Sequence, residues 1–267
     1  MPNRTPAHAT VFSRCNLSPW VIGSWEYQED PQPLEIDGVR LTDRRLFSRL
    51  AETADPAERA QIFHDYLSVK FRLHEWEEHG ASARESLRHS YIQFLRNWGA
   101  DSNGRSGAVL KTWVESRFGL PATYHRGRLA DDPAAREQYW NDRMRGAERT
   151  MGVSMQLDLL YTFCQDELRR RHPGERWRTL YRGTHDPEEY AVTDVAASGA
   201  SLVRLNNLSS FTSDAEIAWE FGSSVWEVRV PLEKIVFFSG LLPRQLLGGE
   251  SEHLVLGGEY RVRKLAY

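Results

Sequence analysis

Apolar residues in the first two thirds of the chain recur every three or four positions, which is the spacing of one helical face. They form the groups Leu46–Leu50, Ile62–Val69, Leu87–Trp98, Val109–Phe118 and Met155–Leu168. Asp55 and Pro56 predict the start of the second helix, because aspartate caps free N–H groups and proline lacks the N–H that a first turn leaves unpaired. Gly119 and Pro121 predict the end of the fourth helix. We therefore predict a mainly helical region over residues 38–175.

After residue 175 the apolar spacing shortens to two, which is typical of strands with one buried face. The alternating segments are Thr179–Gly183, Val225–Val230, Lys234–Ser239, His253–Leu256 and Tyr260–Leu265. Helices first and strands second predict an α+β fold with a mainly antiparallel sheet, whose β-rich core covers residues 176–267. Residues 1–37 hold five of the chain's twelve prolines and no sustained periodicity, so we predict an irregular arm there.

Composition and charge argue against several classes of protein. The chain has 267 residues and a net charge of −3, which gives no overall positive field for a nucleic-acid backbone. Cys15 and Cys164 are too few for a disulfide framework, and the nine scattered histidines lack ligand spacing, so no metal is predicted. No apolar run has the length of an export signal or a membrane span, which predicts a cytoplasmic protein.

Three segments of the β-rich region carry candidate chemistry. Arg182 ends a predicted strand before Gly183, and an arginine there is usually solvated or paired but can hold a diphosphate. The segment Ser209–Asp214 reads as a turn before a helix, with more hydroxyl groups than one helix cap needs. Glu250 and Glu252 precede an apolar strand, and residues two apart on a strand point to the same side. Each segment alone fits a solvated edge or a cap.

In this order, the three segments resemble the arginine–serine–glutamate signature of the arginine-specific ADP-ribosyltransferases. The resemblance covers about residues 178–267 and implies a split antiparallel sheet that grips NAD in a cleft. It implies that Arg182 binds the NAD phosphates and that the backbone of Gly183 holds the nicotinamide amide. Glu252 matches the family's catalytic glutamate and Glu250 its acceptor-selecting residue. The remaining implied NAD contacts are Ser210, Thr212, Ser213 and Phe221.

One departure from the signature leaves a choice of hydroxyl group open. The commoner Ser-Thr-Ser triplet reads Phe211-Thr212-Ser213 here when it is aligned on its last two residues. The hydroxyl group that contacts the catalytic Glu252 is therefore that of either Ser210 or Thr212.

Motifs in both halves are similar to those of the dinitrogenase reductase ADP-ribosyltransferase family of nitrogen-fixing bacteria. They are Asn16-Leu17, Pro33-Leu34, Asp101–Gly104, Trp113–Gly119, Gln156–Tyr161, Val203–Leu208 and Gly257–Val262. The resemblance implies that an arginine of the nitrogenase iron protein is modified and the protein inactivated. It also implies a PII-type nitrogen-signalling protein as regulator. The helical half shows no evident catalytic residues, so we expect it to recognise the target and the regulator.

The chemistry of NAD cleavage suits the two glutamates. NAD carries a cationic leaving group, so its ribose develops positive charge that an adjacent carboxylate stabilises, as in glycoside hydrolysis. Glu252 fits that role, and Glu250 fits the orientation and deprotonation of the incoming guanidinium. NAD is here a consumed substrate, which agrees with the absence of the Gly-x-Gly-x-x-Gly dinucleotide motif. The alternatives are an NAD hydrolase, a toxin-like transferase and a non-enzymatic NAD sensor.

Overall fold

The helical region is built from short and medium helices connected by turns. The computed structural model describes residues 13–73, 90–147, 151–185, 190, 192–193, 200–243, 246 and 251–265. The helices are α1 (Pro19–Ile22), α2 (Trp25–Glu29), α3 (Val39–Thr42), α4 (Arg44–Glu52), α5 (Pro56–Lys70), α6 (Tyr91–Ala100), α7 (Arg105–Phe118), α8 (Pro133–Ala147) and α9 (Met151–Arg171). None of the helices in these ranges is long and apolar enough to cross a membrane.

Local signals in the sequence explain where the helices begin and end. The Asp55 carboxylate accepts a hydrogen bond of 2.8 Å from the backbone N–H of Glu58 and caps α5, with Pro56 in the first turn. Gly119 ends α7 in the left-handed conformation, with φ of 67°. The predicted apolar residues in the described ranges are buried or half-buried, with two exceptions. Val69 in the last turn of α5 is 69% exposed and Met155 on α9 is 42% exposed, while Leu87 lies outside the described residues.

The described part of the segment predicted as an irregular arm contains α1 and α2. These helices have four and five residues, so they are too short for a helical period to show in the sequence. Ser24 caps α2 by accepting a hydrogen bond from the backbone N–H of Tyr27. The described part of the arm also packs against the rest of the protein, because Ile22 and Tyr27 are buried in the core.

The second half of the chain is an antiparallel sheet, which confirms the predicted α+β class. Its strands are β1 (Trp177–Thr184), β2 (Val192–Thr193), β3 (Ala200–Thr212), β4 (Ser224–Pro231), β5 (Ile235–Phe238) and β6 (Glu252–Leu265), with helix α10 (Ala215–Glu220) before β4. The spatial order is β2-β3-β1-β4-β6-β5, and β3 also pairs with β6. On β4, Trp226, Val228 and Val230 are buried while Arg229 is exposed, as the alternation predicts.

Two predictions about the strands were wrong. Residues 209–212 belong to β3 and not to a turn, because the hydroxyl side chains alternate between the two faces of a strand that pairs with β6. The two strands predicted after residue 252 are one continuous β6. Gly257 permits this continuity, since a Cβ atom there would lie 1.7 Å from the carbonyl oxygen of Asn206 on β3.

Strand β6 changes its neighbour along its length within one six-stranded sheet. Its first residues pair with β5, with Val255 opposite Ile235, and its later residues pair with β4, with Val262 opposite Val228. Strand β1 pairs with β3 where Tyr181 lies opposite Thr212. The end of β1, the end of β3 and the start of β6 therefore meet at one edge of the sheet.

Candidate active site

Two candidate residues, Arg182 and Glu252, meet at a third, Ser210, near the end of β3. The Nη1 group of Arg182 donates a hydrogen bond of 2.7 Å to the carbonyl oxygen of Ser210. The Ser210 hydroxyl donates a hydrogen bond of 3.0 Å to Oε1 of Glu252. The same hydroxyl oxygen accepts a hydrogen bond of 2.8 Å from Nε1 of Trp98 on α6. The structure thus brings residues from β1, β3, β6 and the helical half together around one serine.

Strand register explains why Ser210 is the serine that reaches the glutamate. Thr212 lies directly opposite Glu252, so Ser210, two residues earlier, is the diagonal neighbour of Glu252 on the same face. The hydroxyl of Thr212 instead accepts a hydrogen bond of 3.1 Å from the backbone N–H of Asp214. Ser213 is exposed, and its backbone N–H donates to the carbonyl oxygen of Ser251. Of the two hydroxyl groups left open by the sequence, that of Ser210 makes the contact.

Arg182 is held in place from several directions. Its Nη2 group donates a hydrogen bond of 2.9 Å to the hydroxyl of Tyr190. Its guanidinium carbon lies 5.7 Å from the ring centre of Tyr190 and 6.0 Å from that of Phe211. The Nε group is buried and has no hydrogen-bond partner among the described residues. An arginine with a buried unpaired donor beside a cleft is suited to hold an anionic ligand.

The backbone around Glu252 is fixed on both sides. Its N–H donates to the hydroxyl of Ser239 at 2.9 Å, and its carbonyl oxygen accepts from the N–H of Ser239 at 2.8 Å. The preceding Ser251 has a φ of 64°, which costs a non-glycine residue roughly 1–2 kcal/mol. Burial raises the pKa of the Glu252 carboxyl group, and the hydrogen bond from Ser210 opposes this rise.

The other predicted contacts have different surroundings. A Cβ atom on Gly183 would lie 2.0 Å from the carbonyl oxygen of Ala218, so this glycine is needed for the packing of α10 against β1. Phe221 follows α10, is 66% exposed and does not line the cleft beside Ser210. Glu250 lies outside the described residues, and its role stays a prediction.

A cleft of about 520 Å³ opens beside Arg182 and Ser210, between β3 and the helical half. This volume lies within the range of small-molecule sites. None of the described residues that line it carries a carboxylate, and four are basic: Lys111, Arg128, Arg182 and Arg204. No group of three or more potential metal ligands occurs within the described ranges. The cleft therefore fits an anionic organic ligand.

Comparison with known proteins gives the family. A family model described as "Dinitrogenase reductase ADP-ribosyltransferase (DRAT)" matches residues 12–264. The chain belongs to the dinitrogenase reductase ADP-ribosyltransferase family. The NAD(+)–dinitrogen-reductase ADP-D-ribosyltransferase of Rhodospirillum rubrum is 40% identical over 249 residues, which cover 91% of this chain and 90% of that protein. No solved structure matches the chain significantly.

Membership of the dinitrogenase reductase ADP-ribosyltransferase family confirms the resemblance found in the sequence, and the match extends through the helical half. That half also holds residues near the site that the sequence analysis missed. Trp98 ends an apolar helical face that the sequence predicts to be buried, and it is buried, yet its indole N–H reaches Ser210. The available signal was chemical, because a buried indole N–H needs an acceptor.

Lys111 is a second residue near the site that the sequence did not reveal as a candidate. It lies on the buried side of α7, where its ammonium group donates to Oδ1 of Asn103 at 3.1 Å and to the carbonyl oxygen of Tyr124 at 3.0 Å. Burial lowers the pKa of Lys111 to about 7. A lysine among the apolar residues 108–110 and 113–114 was the signal in the sequence. Its hydrogen bonds join α7 to the loop that lines the cleft.

Proposed function

We propose that this chain transfers ADP-ribose from NAD to an arginine side chain of dinitrogenase reductase and thereby inactivates that protein. The observation that carries the proposal is the convergence of Arg182 and Glu252 on Ser210, beside a cleft lined by cations. The name of the Rhodospirillum rubrum relative supports both the donor and the acceptor protein.

The cationic side of the cleft suits the diphosphate of NAD. Arg182, Arg128 and Arg204 line this cleft. Arg128 and Arg204 also pair with Asp131 and Glu259, so Arg182 is the arginine among them without a carboxylate partner in the described residues. Arginine suits this task because its planar fork of donors matches phosphate oxygens. We assign Arg182 to the binding of the NAD phosphates. The backbone carbonyl oxygen of Ser210 holds the Arg182 guanidinium group in place.

Glu252 supplies the negative charge that the reaction needs. Cleavage of the bond between ribose and nicotinamide leaves positive charge on the ribose, and a nearby carboxylate stabilises it. The Ser210 hydroxyl donates to one carboxylate oxygen, which orients the group and favours its ionised form. Burial strengthens the interaction with a cationic ribose because water is excluded from the site.

The acceptor arginine must be oriented and must lose a proton as it attacks. We assign this task to Glu250, as the family signature implies, with Thr212, Ser213, Gly183 and Phe221 as further candidate contacts of NAD. We also propose a PII-type nitrogen-signalling protein as regulator and a cytoplasmic location. The regulator rests on the resemblance to the family, and the location rests on the lack of a long apolar run in the sequence. No metal is assigned to the reaction.

The test is to incubate the purified protein with dinitrogenase reductase and NAD labelled in its adenylate half. We expect label on the reductase, at an arginine that mass spectrometry identifies. The variant Glu252→Gln should lose both transfer and NAD hydrolysis by roughly 10²–10³-fold, the usual loss when a charge-stabilising group is removed. Glu250→Gln should lose transfer and keep some hydrolysis.

Glu227→Gln is the matched control. Glu227 is a surface glutamate on β4 that pairs with Arg263, so its loss should leave activity unchanged. Release of free ADP-ribose without label on the reductase would instead identify an NAD hydrolase. Binding of NAD without either product would identify a sensor.

A further inference from the structure

We infer that Trp98, in the helical half of the chain, is a positioning residue that sets the direction of the Ser210 hydroxyl and holds it on Glu252. The inference rests on the proposed function, because it concerns the same carboxylate. It extends the site beyond the three signature residues to a helix in which the sequence shows no catalytic feature.

The argument starts from what each group can donate and accept. An indole N–H can only donate, whereas a serine hydroxyl has one hydrogen to donate and two lone pairs to accept. Because Nε1 of Trp98 donates to Ser210 at 2.8 Å, the serine must direct its own hydrogen elsewhere. The next partner of its oxygen is Oε1 of Glu252, at 3.0 Å. Trp98 therefore makes Ser210 a donor, and Glu252 an acceptor.

When a hydroxyl group accepts a hydrogen bond, the hydrogen bond that the same group donates becomes stronger. Chains of hydrogen bonds polarise one another, more strongly where water is excluded. Trp98 is 3% exposed, and Ser210 and Glu252 are half-buried, so the chain from indole to carboxylate is partly shielded from water. Trp98 consequently opposes the effect of burial, which favours the protonated and inactive form of Glu252.

Helix α6 is fixed against the site at three points. A Cβ atom on Gly99 would lie 3.8 Å from Oε2 of Glu252, so the helix backbone passes beside the carboxylate. Arg96 donates from Nε and Nη2 to the carbonyl oxygen of Leu246, at 3.0 and 2.5 Å. Trp98 makes the third contact, to Ser210. The hydrogen bonds of Arg96 and Trp98 thus tie α6 to the second half of the chain.

The groups around Glu252 show which of them can influence its ionisation. From β3 it faces Ser210 and Thr212, from the end of β5 Ser239, and from α6 Trp98 and Gly99. Arg182 is linked to it through the backbone carbonyl group of Ser210. His253, the next residue, turns its Nδ1 toward the carbonyl oxygen of Ser251, and burial lowers its pKa to about 4.

The first experiment compares Trp98→Phe with the unchanged protein in the transfer assay. Phenylalanine keeps an aromatic ring and removes the N–H donor, so we expect kcat to fall on the order of tenfold, as the loss of one buried hydrogen bond implies. The KM for NAD should stay the same, because Trp98 acts on the carboxylate and not on the diphosphate. The control is Trp113→Phe, which removes an equally buried indole donor, bonded to Asp158 at 2.8 Å, away from the site.

The pH profile separates positioning from general support of the fold. Weaker donation from Ser210 raises the pKa of Glu252, so the acid limb of kcat should move to higher pH in Trp98→Phe and stay in place in Trp113→Phe. An unchanged kcat, or a lower kcat with an unmoved acid limb, would overturn the inference. Failure of the unchanged protein to transfer ADP-ribose would instead refute the proposed function.

A measurement on the unchanged protein covers the case in which Trp98→Phe does not fold. In protein labelled with 15N at tryptophan, one indole N–H signal should move with pH as Glu252 titrates, and this movement should be lost in Glu252→Gln. Ser210→Ala should shift the moving signal, which identifies it as that of Trp98. The inference would be overturned if no indole signal followed this titration, or if Ser210→Ala left every indole signal in place.

Discussion

The carboxyl group of Glu252 is half-buried, and this has a consequence for stability. Its pKa in the folded protein is raised above the ordinary value of 4.5, with burial as the largest cause. Between these two pKa values the folded state binds more protons than the unfolded state, so stability falls as the pH rises through that window. At neutral pH the ionised glutamate therefore destabilises the fold that presents it.

We predict that Glu252→Gln is more stable than the unchanged protein at neutral pH, although it is inactive. Glutamine keeps the shape and can still accept the hydrogen bond from Ser210, and it removes the charge that burial disfavours. Each kcal/mol gained should raise Tm by roughly 2–4 °C. The difference should shrink when the pH is lowered below the pKa of the folded protein, because Glu252 is then protonated as well.

Thermal unfolding at a series of pH values checks this prediction. Glu227→Gln is the control, since Glu227 lies at the surface and pairs with Arg263. A lower Tm for Glu252→Gln at neutral pH would show that the charge of Glu252 contributes favourable interactions in the fold. A Tm difference that grows toward acid pH would contradict the direction of the pKa shift.

At the scale of elements, the glycine after Arg182 has a packing role that the signature alone does not reveal. Strand β1 and helix α10 approach so closely that a Cβ atom on Gly183 would meet the backbone of Ala218. The next connection is equally close, because a Cβ atom on Gly222 would lie 2.2 Å from the backbone nitrogen of Thr184. The end of β1, and with it Arg182, is held by two backbone contacts.

We predict that Gly183→Ala lowers the free energy of unfolding by roughly 1–3 kcal/mol or more, as overpacking does, besides weakening NAD binding. Chemical denaturation in the absence of NAD isolates the packing effect. The matched control is Gly152→Ala on α9, where a Cβ atom would meet nothing within 4 Å. That variant should gain roughly 0.5–1 kcal/mol, because alanine suits a helix better than glycine. Equal stability of the two variants would show that Gly183 serves NAD alone.

Strand β3 shows how far the sequence could predict the site. Arg182, Ser210 and Glu252 could be identified as candidates because the short segment around each residue carries its own signal. The contacts between these residues could not be predicted. The sequence predicts a turn at Ser210, and the choice between the two hydroxyl groups depends on the register of β3 against β6. The position of Trp98 next to Ser210 joins residues 112 positions apart, which no local pattern encodes.

At the scale of the whole molecule, the helical half and the sheet share one interior. A single cluster of buried apolar residues includes Trp113 and Phe118 from α7 and Val228 and Leu256 from the sheet. Polar side chains join the two halves as well. The amide of Gln165 on α9 donates to the carbonyl oxygen of Ile235 at 2.8 Å, and Asn207 on β3 donates to those of Lys111 and Leu120 at 2.9 and 3.0 Å.

These contacts predict that the two halves unfold together. Calorimetry, far-ultraviolet circular dichroism and tryptophan fluorescence should give one coincident transition, because separation of the halves would expose the shared core. Saturating NAD should move that transition to higher temperature without splitting it. Residues 151–267 alone should neither fold nor cleave NAD, since they lack α7 and Trp98. Two separate transitions, or NAD cleavage by residues 151–267 alone, would show that the sheet is an independent catalytic unit and that the helical half serves only for recognition.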